Sequence, residues 1–199
     1  MDSFMPAYSV VKRVAMLGLW LILPLYGQAD TRFQVEQAQI YRIGNGYIVN
    51  AQLAYPLTPR VEEALNNGVP ITFFQEIQLI DRTALIPDWW IWNTVLWSTK
   101  LRYELRYHDL SEQYLLYTPD SPTHRNHPTL GSALDTMGGI TNLTLPPDIT
   151  RLQRDHNLVL RLRTGIDLMA LPSPMRPGAM ISSKWDLTSP WYEAIWPSD

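Results

Sequence analysis

Between Asn157 and Leu168, Leu158, Leu160, Leu162, Ile166 and Leu168 fall on alternate positions, against Arg161, Arg163 and Asp167. Successive side chains of a strand point to opposite faces, so this period of two predicts a strand with one face buried. The same period recurs along the chain. Phe33 to Ile43 and Tyr47 to Tyr55 flank Gly44-Asn45-Gly46, a hairpin signal, because Gly and Asn accept the positive φ of a tight turn. In Ile71 to Ile80, Phe73, Gln75, Ile77 and Leu79 alternate with Phe74, Glu76 and Gln78. In Thr94 to Tyr107, Leu101, Tyr103, Leu105 and Tyr107 alternate with Arg102, Glu104 and Arg106. The turn Asp109-Leu110-Ser111-Glu112 leads into a further strand, Gln113 to Tyr117, and a last strand is expected around Met180 to Leu187.

Helical signals are confined to two short stretches. Thr58-Pro59-Arg60-Val61-Glu62-Glu63-Ala64-Leu65-Asn66-Asn67-Gly68 offers an N-cap, a first-turn proline, early acids and a Gly stop. Thr129 to Met137 ends at Gly138-Gly139. Seven or eight strands with two short helices, and no regular crossover helices, predict a mainly β chain: an antiparallel β-sandwich, immunoglobulin-like or related.

The first 29 residues read differently. Lys12 and Arg13 precede an apolar run from Val14 to Leu25, and Gly27-Gln28-Ala29 places small residues before Asp30. This is the pattern of an export signal cleaved after Ala29, with an uncleaved inner-membrane anchor as the alternative. Twelve residues of helix reach only about 18 Å, against a membrane core of about 30 Å. The expected organisation is therefore a signal segment, 1–29, and one periplasmic domain, 30–199.

Composition narrows the function classes. The chain has no Cys, which removes disulfides, thiolate chemistry and a lipid-modified cysteine. Its formal net charge is −3, without the basic footprint of a nucleic-acid binder. Eight Trp and ten Tyr against four Phe favour half-buried surfaces and interfaces.

Four groups of residues are candidate sites. Trp89, Trp90 and Trp92 surround Ile91 after Pro87-Asp88, and three indoles in four residues cannot all face one core. They form a candidate binding patch for a protein, a glycan or a membrane interface, against the plainer reading of a loop capping the sandwich end. Arg102 and Arg106 on one strand, and Arg161 and Arg163 on another, would gather four guanidinium groups if those strands were neighbours. That makes a candidate anion or partner face, unless Glu104 and Asp167 neutralise it. His124 and His127, with Asp120 nearby and His156 farther off, suggest a metal-assisted hydrolase only weakly, since Pro122 and Pro128 predict a loop and no third ligand is evident. Ser132 lacks a nucleophile-elbow context. No catalytic residue, cofactor site or metal site is expected.

The chain resembles the DUF4390 family of exported bacterial proteins of unknown function. The matching stretches are Leu57 to Pro70, Leu101-Arg102-Tyr103, Leu162 to Pro172, and Trp185-Asp186-Leu187 with Trp191-Tyr192. Val61 stands where many members have Leu. The resemblance implies an envelope protein with an N-terminal signal segment, and it supplies no activity, cofactor or site residue. Its members are often encoded near a membrane sensor kinase, which implies a signalling-accessory role. The expectation is a non-enzymatic periplasmic binding or accessory module for an envelope protein, possibilities such as a carbohydrate- or peptidoglycan-binding module standing beside it, with no nucleic acid partner.

Overall fold

A computed structural model describes residues 32–86, 90–118, 121, 123–146, 148–149 and 157–195; within these, the side chains of 83–86 and 90–92 are not described. The expected signal segment therefore lies outside the described residues, as do Asp120 and His156. The chain is mainly β, with nine strands in two antiparallel sheets among the described residues. These are β1 (Gln34–Ile43), β2 (Gly46–Ala54), β3 (Ile71–Ile86), β4 (Trp90–His108), β5 (Gln113–Tyr117), β6 (His124–His127), β7 (Gly139–Thr144), β8 (Leu158–Ile166) and β9 (Tyr192–Glu193). The smaller sheet has the order β1-β2-β7, and the larger β6-β5-β4-β3-β8-β9.

The predicted first hairpin forms with Ile43 opposite Gly46 and Gly44 at φ 57°, the conformation for which glycine is suited. The alternation read in the sequence becomes the inside and outside of the sheets. Val35, Ala38, Ile40, Val49, Ala51 and Leu53 of the small sheet share one buried cluster with Phe73, Ile77, Leu79, Leu105, Leu116, Leu160 and Leu162 of the large one. Two sheets facing each other across one apolar core make a sandwich-like arrangement.

One side of the sandwich is stitched by the end of the chain. Leu162 of β8 pairs with Tyr192 of β9, and three residues later the same segment crosses to the small sheet. There Ile195 N–H donates to Ala38 O at 3.0 Å, and Ile40 N–H donates to Ile195 O at 3.0 Å. On another side, helix α2 (Leu130–Gly138) touches β2, β5, β6 and β7. Gly138 is needed there: a Cβ at this position would run into the backbone oxygen of Leu53.

The structure differs from the expected elements in five places. Three helices rather than two occur among the described residues, with a short 3-10 turn, Leu168–Ala170. The extra helix, α3 (Arg176–Met180), and the turns after it replace the expected strand at 180–187. The stretch opens on two exposed apolar residues, Met180 and Ile181, and alternates only at its end, where Trp185 and Leu187 are buried on either side of exposed Asp186. The expected loop of 120–128 contains β6, which pairs with β5. Gly139–Thr144, beyond the predicted helix stop, pairs with β2 as β7. The loop expected before Thr94 is occupied at both ends by strand, since β3 runs to Ile86 and β4 starts at Trp90. For β6 and β7 pairing with another strand decides the state, which local propensity does not encode.

Helix α1 (Pro59–Asn66) forms as predicted, ending before Gly68 at φ 77°. Thr58 departs from its expected role. Its hydroxyl does not cap the helix but donates to Lys184 O at 2.7 Å, tying α1 to the C-terminal segment.

A polar chain crosses the apolar core. Gln75, 1% exposed, donates from Nε2 to the Tyr55 hydroxyl at 2.9 Å and to Met137 O at 2.7 Å. The single Thr164 hydroxyl hydrogen is taken by Phe74 O at 2.7 Å. The 3.1 Å contact between Thr164 Oγ1 and the Tyr55 oxygen is then served by the Tyr55 hydrogen. Burial pushes the Tyr55 pKa up to about 12, against the partly offsetting contacts with Thr164 and Gln75.

Candidate functional site

Strand β3 lies between β4 and β8, so the two predicted Arg rows are not on neighbouring strands. They do share one face. Glu76 of β3 is opposite Lys100 and Arg163, Gln78 is opposite Ser98 and Arg161, and Phe74 is opposite Arg102. Directly opposed residues point to the same side of a sheet, so Arg102, Arg106, Arg161 and Arg163 all occupy the outer face of the large sheet.

Each of the four already meets an acceptor. Arg163 binds Glu76 Oε2 from Nη2 at 2.7 Å and from Nε at 2.9 Å. Arg161 donates twice to Gln78 Oε1, at 2.9 and 3.2 Å. Arg102 pairs with Asp167 at 3.3 Å, and Arg106 reaches Glu104 at 4.0 Å. The Trp191 ring lies under both β8 guanidiniums, at 4.3 Å from Arg161 and 4.4 Å from Arg163. Arg161 has its pKa lowered, first by partial burial and then by Arg163. The arrangement is a partly neutralised ladder: Glu76, Gln78 and Trp191 hold the two β8 cations, while Asp167 and Glu104 face Arg102 and Arg106. Their outward position was legible in the alternation of β4 and β8, while their pairing depends on strand order.

His124 and His127 fall on β6, opposite Tyr117 and Tyr114 respectively. Three positions apart on a strand means opposite faces, so the two imidazoles do not converge on one ion. His124 lies against the Tyr117 ring with centroids 5.2 Å apart. Burial, followed by Arg125, lowers the His127 pKa. Among the described residues no three His, Asp or Glu side chains are grouped to hold a metal.

Of the aromatic patch, Trp89 lies outside the described residues, and so do the side chains of Trp90 and Trp92. The backbone ladder continues here, with Thr83 opposite Trp92 and Ile86 opposite Trp90. This places the Trp-rich sequence at the far end of the β3–β4 hairpin.

The same hairpin carries an open strand edge. On the side away from β3, strand β5 pairs only with Glu104 to His108 of β4. From Asn93 to Arg102, no strand among the described residues occupies that edge. A bulge at Leu96 shifts the register, after which the run from Trp97 to Arg102 is regular. Ser98, Lys100 and Arg102 are exposed on its outer face, while Trp97, Thr99 and Leu101 are half-buried on the other. An open edge is a row of unpaired backbone donors and acceptors that an extended segment can complete. The sequence did not reveal this feature, because it depends on how far β5 extends along β4.

Among the described residues, no helix is long and apolar enough to cross a membrane. No curated protein and no solved structure matches the chain. A family model described as a domain of unknown function (DUF4390) matches residues 30–194. That match covers the whole sandwich from β1 to β9, and on it the chain belongs to the DUF4390 family.

Proposed function

We propose that this chain is an exported, periplasmic binding module that serves a protein of the cell envelope, with β4 as its docking strand. The observation that carries the reading is the open edge from Asn93 to Arg102, continuous with the Trp-bearing end of the hairpin. Its occupant is an extended segment from the extracytoplasmic part of a membrane protein. Strand addition would satisfy the edge, apolar residues of that segment would meet Trp97 and Leu101, and acidic residues would face Lys100 and Arg102. The export-type sequence of residues 1–29 supports an envelope location.

The test is crosslinking in cells followed by mass spectrometry, comparing the full chain with a W89A/W90A/W92A variant. The reading expects one specific membrane protein, depleted in the variant. Recovery of chaperones alone would count against it.

A glycan-binding reading draws on a different surface. Gln37, Gln39, Tyr41, Asn50 and Gln52 line a shallow cleft of about 100 Å³ on the small sheet, with no charged residue in its lining. Carboxamides of this kind both donate to and accept from sugar hydroxyls. Retention on cell-wall glycan that is lost in N50A/Q52A but kept in the triple Trp variant would favour this reading over β4 docking.

A further inference from the structure

A second cavity, of about 460 Å³, opens between the start of α1 and the turns that follow α3. Arg60, Pro174, Met175, Gly178, Ala179, Ser182, Lys184 and Trp185 line it, and of these Met175, Ala179 and Trp185 provide apolar wall. The volume lies within the range of small-molecule sites, about 300 to 1,000 Å³. The Thr58 hydroxyl, bonded to Lys184 O, holds the two walls together.

The polar lining is one-sided. Arg60 and Lys184 are cations, and no carboxylate is among the lining residues. Arg60 has one partner, Glu63 on the solvent side of the same helix, at 3.0 Å. Lys184 bonds through its backbone, with no partner for its ammonium among the described residues. Trp185 is only 5% exposed, yet its indole N–H has no acceptor among the described residues. The indole nitrogen is not among the buried groups left without a partner, so this N–H remains accessible to a ligand. No side chain caps α1, so the positive end of the helix adds to the same field.

We infer that this cavity binds a small amphiphilic anion, an acidic headgroup attached to an apolar body. The headgroup supplies acceptors to Lys184, Arg60 and the Trp185 indole, while the apolar body lies against Met175 and Ala179. The site is separate from β4 and does not rest on the docking proposal.

The test uses decanoate as probe, added to the full chain and followed by NMR at the Trp185 indole and the Met175 methyl. Inorganic phosphate and decyltrimethylammonium serve as the headgroup-only and opposite-charge probes. The inference expects saturable shifts of both signals with decanoate, and binding weakened at least about tenfold in R60Q/K184Q, since one charge-assisted hydrogen bond contributes about that factor. Phosphate should bind more weakly than decanoate, and decyltrimethylammonium should leave both signals in place. Both replaced side chains are exposed, so the variant keeps its fold, and an unchanged spectrum away from the cavity verifies this. Absence of saturable shifts with decanoate, equal binding of the cationic probe or of phosphate, or undiminished decanoate binding by the variant would overturn it.

Discussion

Replacing Tyr55 by Phe tests the polar chain through the core in two independent ways. The ring contacts with Phe33, at 5.0 Å, and Phe73, at 5.7 Å, survive the change. The hydroxyl contacts with Gln75 and Thr164 are lost. At about 1 kcal/mol net for each hydrogen bond, Tyr55→Phe should cost about 2 kcal/mol at pH 7. The second signature is alkaline. The Tyr55 pKa rises from 10.0 in the unfolded chain to about 12 in the folded one, so folding favours the protonated form. That contribution is complete below pH 10 and is lost as the pH rises through 12. Between pH 9.5 and 11 the wild type should lose about 1 kcal/mol through this group, and the variant should lose that much less. Urea unfolding at pH 7, 9.5 and 11 measures both quantities; Tyr114, also raised by burial, is common to the two proteins and cancels in the comparison. A cost below about 0.5 kcal/mol at pH 7, or identical alkaline losses, would refute the reasoning.

Four further outcomes are expected. Gly138→Ala should destabilise by about 2 kcal/mol or more in thermal unfolding, because the new methyl meets backbone at Leu53. Gly165→Ala should cost less, since the added atom lies 2.7 Å from the Phe74 ring and the Thr188 hydroxyl, which are side chains able to move. Glu76→Gln should lower stability by less than about 1 kcal/mol, and by less still in high salt, because its partner Arg163 is partly exposed. Trp191→Ala should cost about 1 to 2 kcal/mol by denaturant unfolding, from two cation–π contacts at a half-buried position.

The amount of structure readable from sequence follows the physics of each element. The strands around Phe73, Leu105 and Leu160 were legible because one buried face forces a period of two. Helix α1 was legible from Pro59 and Gly68, which act locally. Strands β6 and β7 were not, because His124 to His127 and Gly139 to Thr144 carry little alternation and are held by β5 and β2. The sites divide in the same way. The outward position of Arg102, Arg106, Arg161 and Arg163 followed from period alone, but the contacts of Arg161 with Gln78 and of Arg163 with Glu76 required β3 to lie beside β8. The open edge of β4 depends on where β5 stops, and the cavity beside Trp185 joins residues distant in sequence. Arg60 and Lys184, far apart in sequence, line the same cavity.

Docking at β4 is the central claim, and site-specific photocrosslinking in cells tests it most directly. A photoreactive residue would replace Ser98 on the β4 edge, and in a parallel chain Gln39 on the small sheet. The account predicts an adduct with one membrane protein from position 98, diminished by K100E/R102E, and none from position 39. Adducts from position 39 alone, or from position 98 with no dependence on Lys100 and Arg102, would contradict it.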